Sequence, residues 1–173
     1  MFSRGRPRQL ETEEELYGVA LRALMLRAHS VREMQKKLSR YTRNELLVCV
    51  VMARLKENGQ LDDQRYAQQF ARSRTESRKQ GRFRIARELR ARGVADADIN
   101  SALEAFASET DSATLVRQRI ERKLKSSRGE VDEKRIASIY GSLLRAGFPA
   151  DLIRRELKLL TREAVPGAEP AED

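Results

Sequence analysis

Apolar residues in this 173-residue chain recur at intervals of three and four, the period of a helix with one buried face. No segment shows a convincing strand alternation. Polar residues mark where helices begin. Ser30 is followed by Glu33, the pattern of a capping box, and Val31, Met34 and Leu38 then share a face. Thr42 followed by Glu45 predicts a second capping box, opening a helix that stops at Asn58-Gly59. Asp62 suits an N-cap, and Asp63 suits the first turn, where the helix dipole favours negative charge. The stretch "GRFRIARELRARG" predicts a helix between Gly81 and Gly93, and a new one starts at Asp96. Further helices are expected at about 112–126, 132–146 and 149–163, the last with Pro149 in its first turn.

The pattern repeats. Leu89, Gly93, Val94, Ile99 and Leu103 match Leu143, Gly147, Phe148, Ile153 and Leu157 position for position, 54 residues apart. A weaker copy runs through Leu38, Val48 and Met52 without the glycine. The glycine lets the chain leave one helix with positive φ, and the apolar residue after it tucks back. A unit of this size alone is marginal, and stacking buries more surface. The expected fold is therefore all-α: three tandem three-helix repeats stacked into an elongated, curved body. The expected boundaries are a basic arm at 1–12, repeats at 13–60, 61–108 and 109–163, and a disordered acidic tail at 164–173.

Composition supports helix and adds charge. The chain has 35 Lys and Arg against 26 Asp and Glu, a net charge of +9, and only 5% aromatic residues. Such a balance suits an anionic partner. The longest apolar run, Leu46 to Ala53, is too short to cross a bilayer, and nothing resembles a signal peptide. A single cysteine excludes an intrachain disulfide and fits a reducing compartment. A cytoplasmic, soluble monomer is expected.

Catalytic chemistry finds little support. Cys49 lies in the apolar run and reads as a buried, inert thiol; His29, just before the Ser30 cap, reads as an orienting or solvent-facing residue. No phosphate-binding loop, zinc-protease motif or nucleophile elbow is present. Asp62-Asp63 is the best catalytic candidate. Adjacent helical residues point about 100° apart, however, so they do not converge on one metal. No metal or other cofactor is expected.

The arginines are more informative. From Arg72 to Arg92 the chain carries nine basic residues and two acids, Glu76 and Glu88, a net +7. Ile85, Ala86 and Leu89 form an apolar face, with Arg84, Arg87 and Arg90 in a row opposite. A merely solvated face usually mixes signs. Arg72, Arg74, Arg78, Lys79, Arg82, Arg84, Arg87 and Arg90 are therefore the first candidates for gripping a polyanion. A second stretch, Arg117 to Arg128, adds Arg117, Arg122 and Lys125; Arg154, Arg155 and Lys158 form a weaker third. Tyr66 and Phe70 read as core, and Phe83, between Arg82 and Arg84, as the one attractive base-stacking residue.

Three blocks resemble the RecX family of bacterial recombination regulators. They are "RAHSVREMQKKL", "LKENGQLDDQRYAQQFARSR" and "GRFRIARELRARGV". The shared residues include Arg27, His29, Ser30, Glu33 and Met34; Gly59, Leu61, Asp62, Asp63, Arg65, Tyr66 and Ala67; and Gly81, Ile85, Glu88, Leu89 and Gly93. "LLRAGFPADLI" is similar to the family's C-terminal block, so the resemblance spans about residues 16–160. It implies three three-helix repeats and no catalytic centre or cofactor. It implies binding to the RecA filament on single-stranded DNA, with inhibition of ATP hydrolysis and strand exchange; double-stranded DNA is a further candidate ligand. Two departures stand out: repeat 1 lacks the glycine, and "TESRKQ" intervenes before Gly81. The rival readings are a stand-alone nucleic-acid-binding repeat protein and a metal-dependent nuclease built on Asp62-Asp63.

Overall fold

The computed structural model describes residues 9–107, 112–126 and 132–164, the backbone alone at 106–107 and 161–164. The basic arm with Arg4, Arg6 and Arg8, the acidic tail beyond Ala164, and Arg128 lie outside the described residues. The described residues form nine helices and no strand. These are α1 (Glu13–Leu26), α2 (Val31–Leu38), α3 (Glu45–Glu57), α4 (Asp63–Arg78), α5 (Arg82–Ala91), α6 (Asp96–Ala107), α7 (Ser112–Lys125), α8 (Glu133–Ala146) and α9 (Ala150–Ala164). The expected all-α class and helix order are both present.

The caps follow the sequence with one correction. Ser30 and Glu33 close a full capping box on α2. At α3 the cap is Asn44, whose side chain accepts from the Leu47 N–H at 3.1 Å, and Thr42 is not the cap. The buried Thr42 hydroxyl instead accepts from the Asn44 N–H at 3.2 Å. Glu45 is therefore the first helical residue and is not placed to close a box. An Asn side chain caps better than Thr, so the later start wins.

The repeat is explicit in three dimensions. Leu89, Val94, Ile99 and Leu103 are all buried, as are Leu143, Phe148, Ile153 and Leu157 and the weaker set Leu38, Val48 and Met52. Gly93 and Gly147 adopt φ of +80° and +90°. After them the Val94 and Phe148 N–H groups donate back to the Leu89 and Leu143 carbonyls, both at 3.2 Å. That six-to-one bond is the Schellman stop, made identically in repeats 2 and 3. In repeat 1, Ser39 stays right-handed and the chain turns through Tyr41 N–H to Leu38 O instead.

The chain divides into two units: residues 1–70 with 88–102, and 71–87 with 103–173. The sequence segment 61–108 contributes to both. In the first unit, Leu16, Ala20, Met34, Leu38, Val51 and Leu55 centre the core of α1, α2 and α3. In the second, Val116 and Ile120 of α7 pack with Ile139 and Leu143 of α8 and Ile153 and Leu157 of α9. Each such side chain contributes about 1.5–3 kcal/mol relative to exposure.

Two single residues depart from expectation. Cys49 is exposed, because α3 turns Leu46, Cys49 and Val50 outward while Val48, Val51, Met52 and Leu55 supply its buried stripe. An eight-residue apolar run necessarily covers every side of a helix, and only one side of α3 is covered. His29 is buried, neither solvent-facing nor hydrogen-bonded through Nδ1.

Candidate nucleic-acid interface

The acid pair at the repeat junction is architectural. Asp62 accepts from the Arg65 N–H at 2.9 Å and so caps α4. Asp63 accepts from the Val31 N–H at 2.9 Å, satisfying an otherwise orphaned donor in the first turn of α2. Burial raises the Asp63 pKa above its ordinary value; the Val31 hydrogen bond opposes this and the Asp98 charge adds to it. The described residues contain no group of three or more side chains able to hold a metal.

The motif residues of the first unit converge on Glu33. Its carboxylate takes Arg27 at 3.0 Å, the Ser30 N–H at 3.3 Å and the Tyr66 hydroxyl at 3.5 Å, with Arg92 at 3.8 Å. Burial pulls the Glu33 pKa up, but hydrogen bonds from Arg27 and Ser30 and the charges of Arg27 and Arg92 outweigh it, leaving a net lowering. The Ser30 hydroxyl donates to the Arg92 carbonyl at 2.7 Å, beside Gly93. Residues spread from 27 to 92 thus form one buried-edge network, a grouping that helical spacing could not reveal.

The candidate cations concentrate elsewhere. Of the eleven, Arg72, Arg74, Arg78, Lys79, Arg82, Arg84, Arg87, Arg117, Arg122 and Lys125 belong to the second unit, and Arg90 alone to the first. The "TESRKQ" segment does not break the helix: α4 runs on to Arg78 and turns at Lys79, whose φ is +51°. Arg78, Arg82, Arg87, Arg122 and Lys125 are exposed. Among the described residues Arg78, Arg87, Arg122 and Lys125 make no ion pair.

Other cations are engaged. Arg72 pairs with Glu76 at 3.0 Å, and Arg90 with Asp96 at 2.6 Å. Arg117 places Nε and Nη2 at 3.2 and 3.0 Å from Glu156, a carboxylate buried beneath it. Arg84 is half-buried, with Nη1 reaching the Arg145 carbonyl at 3.4 Å, so the expected solvent-facing row of Arg84, Arg87 and Arg90 does not form as drawn. Helical projection places Cβ atoms correctly; it does not know that the C-terminus of α8 covers the first turn of α5.

That contact has an unusual closeness. The Gly81 N–H donates to the Ala146 carbonyl at 2.8 Å, and the Phe83 N–H to the Gly147 carbonyl at 3.1 Å. A Cβ on Gly81 would lie 2.3 Å from the Gly147 oxygen, and one on Gly147 would lie 2.3 Å from the Arg84 nitrogen. Two glycines therefore let backbone meet backbone and lock the Arg82-Phe83-Arg84 turn in place. Arg119, from the second basic stretch but outside the eleven, is half-buried. Burial first, then the Arg122 and Arg84 charges, lower its pKa from the ordinary arginine value.

Comparison with known proteins agrees with this anatomy. Residues 62–103 match the sequence profile of "RecX, second three-helix domain". A protein of Halorhodospira halophila named "Regulatory protein RecX" is 39% identical over 142 residues, covering 82% of this chain and 85% of its own. Another of that name from Pelodictyon phaeoclathratiforme is 35% identical over 155 residues, covering 88% and 91%. The fold is similar to the crystal structure of RecX from Lactobacillus salivarius, with a TM-score of 0.77 at 20% identity, over 86% of this chain and 96% of that one.

Proposed function

Because the chain belongs to the RecX family of regulatory proteins, we propose that it binds the RecA filament on single-stranded DNA and inhibits its ATP hydrolysis and strand exchange. Such a regulator would modulate homologous recombination, DNA repair and the SOS response. The observation that carries the DNA contact is the concentration of exposed cations in the second unit, with Arg78, Arg87, Arg122 and Lys125 unpaired among the described residues. Cations without acidic partners release counterions when they meet phosphates, which drives binding to either single- or double-stranded DNA. Occupying the filament requires no bond to be made or broken, so the proposed action is non-enzymatic and needs no cofactor.

The test is a RecA strand-exchange assay with equimolar protein. Wild type should inhibit, and an Arg78/Arg87/Arg122/Lys125→Glu variant should lose most of that inhibition while keeping its helicity. Absence of inhibition by wild type would sink the proposal. DNA binding without inhibition would favour the stand-alone nucleic-acid binder instead.

A further inference from the structure

Helix α3 carries two apolar stripes where a surface helix needs one. Val48, Val51, Met52 and Leu55 face the core of the first unit, while Leu46, Cys49, Val50 and Ala53 are all exposed. Leu46 is 78% exposed and Val50 49%. The exposed four stand at i, i+3, i+4 and i+7, the spacing with which one helix packs along another. On a chain that is 35% charged, such a stripe marks a contact face.

The charges beside the stripe indicate its partner. Exposed Glu45 begins the helix, and exposed Lys56 follows about three turns later on the same edge, the edge of Cys49. Arg43, exposed just before the helix, and Glu57, its exposed last residue, are equidistant from Val50. None of these four makes an ion pair among the described residues. Reversing the helix about Val50 puts a base where each acid was and an acid where each base was. A second α3 laid antiparallel therefore sets Glu45 against Lys56 and Arg43 against Glu57, each twice, with Leu46 against Ala53 and Val50 against its own copy. The helix macrodipoles also oppose in that arrangement. A parallel copy would set like charge on like. Self-complementarity of this kind is what a two-fold interface requires.

We propose that the outer stripe of α3 is a homodimer interface, formed by antiparallel pairing with a second copy of this chain across an axis near Val50. The monomer expected from the sequence is replaced by a weak, concentration-dependent pair, because about 20 Å of helix buries less than a standard stable interface. The apolar run from Leu46 to Ala53 covers two sides of the helix because it serves two contacts. A dimer carries two copies of the cation-rich second unit, so it can grip one nucleic acid at two places. The association itself does not depend on the DNA-binding reading.

Sedimentation velocity of the full-length protein over a rising concentration series tests the proposal. The mass should move from one chain toward two. Glu45→Lys and Lys56→Glu should each weaken association roughly tenfold, since each turns two attractive contacts into like-charge ones. An equimolar mixture of the two single variants should associate as wild type does, because the reversed position of each then meets an opposite charge. Val50→Glu should abolish the dimer and leave the circular dichroism unchanged, the position being exposed. Cys49 is the only thiol and lies beside the axis. A short bis-maleimide should therefore join two wild-type chains and fail to join Val50→Glu chains. The mass of a single chain at every concentration, or a mixture that associates no better than either variant alone, would overturn the proposal. DNA binding by such a monomer would leave the proposed function standing.

Discussion

At the scale of single residues, glycine at a helix stop does two separable things here. Gly59 has φ of +65° with nothing near the position of a Cβ, so only its conformation is special. Gly147 has φ of +90° and also touches the backbone of Arg84. Gly59→Ala should therefore cost about 1 kcal/mol, the left-handed penalty alone, and Gly147→Ala about 3 kcal/mol or more. Urea unfolding of the two variants checks this, and equal costs would refute the close-contact argument. His29 gives a pH prediction. Burial, then the charge of Arg27, lower its pKa below the ordinary 6.5, against an opposing pull from Glu33. The unfolded chain accepts a proton near that value and the folded chain refuses it, so stability falls as pH drops below about 6.5. Glu33, also lowered, adds a second loss below about 4.5. His29→Gln should flatten the first limb of a plot of unfolding midpoint against pH and leave the second.

At the scale of elements, some basic residues turn out to be joinery. Arg117 and Arg155 neutralise Glu156 of α9, whose carboxylate is almost fully buried. Arg135 donates to the Leu124 carbonyl and, at 3.3 Å, to that of Lys123, satisfying orphan acceptors at the end of α7. Glu156→Gln should destabilise by about 1–3 kcal/mol in thermal or urea unfolding, the partners being half-exposed and therefore screened. It should not weaken DNA binding, since it frees Arg117 rather than removing it. A loss of DNA affinity without a loss of stability would reverse that assignment. Helix identities and the repeat register were legible because burial imposes a period on the sequence. The actual cap of α3 was not legible, since Thr42 and Asn44 both offer a capping oxygen and the choice depends on which one the surroundings bury.

For the molecule as a whole, charge rather than shape or chemistry gives the sharpest expectation. If about six cations meet single-stranded phosphates, the logarithm of affinity should fall against the logarithm of salt with a slope of roughly −4. A slope near zero would remove direct DNA contact. Among the described residues no helix is long and apolar enough to cross a membrane.

The sequence by itself determined the all-α class, the left-handed glycine stops, the capping role of Asp62 and the preponderance of positive charge. Each of these follows from neighbours three to five residues apart, or from composition, which the chain states directly. Only the tertiary structure decided how the cations divide. Arg117 faces a buried carboxylate 39 positions away, Arg84 is covered by a turn 61 positions away, and Arg119 is half-buried. A charge's role depends on what packs beside it, and packing partners distant in sequence leave no periodic mark on the chain.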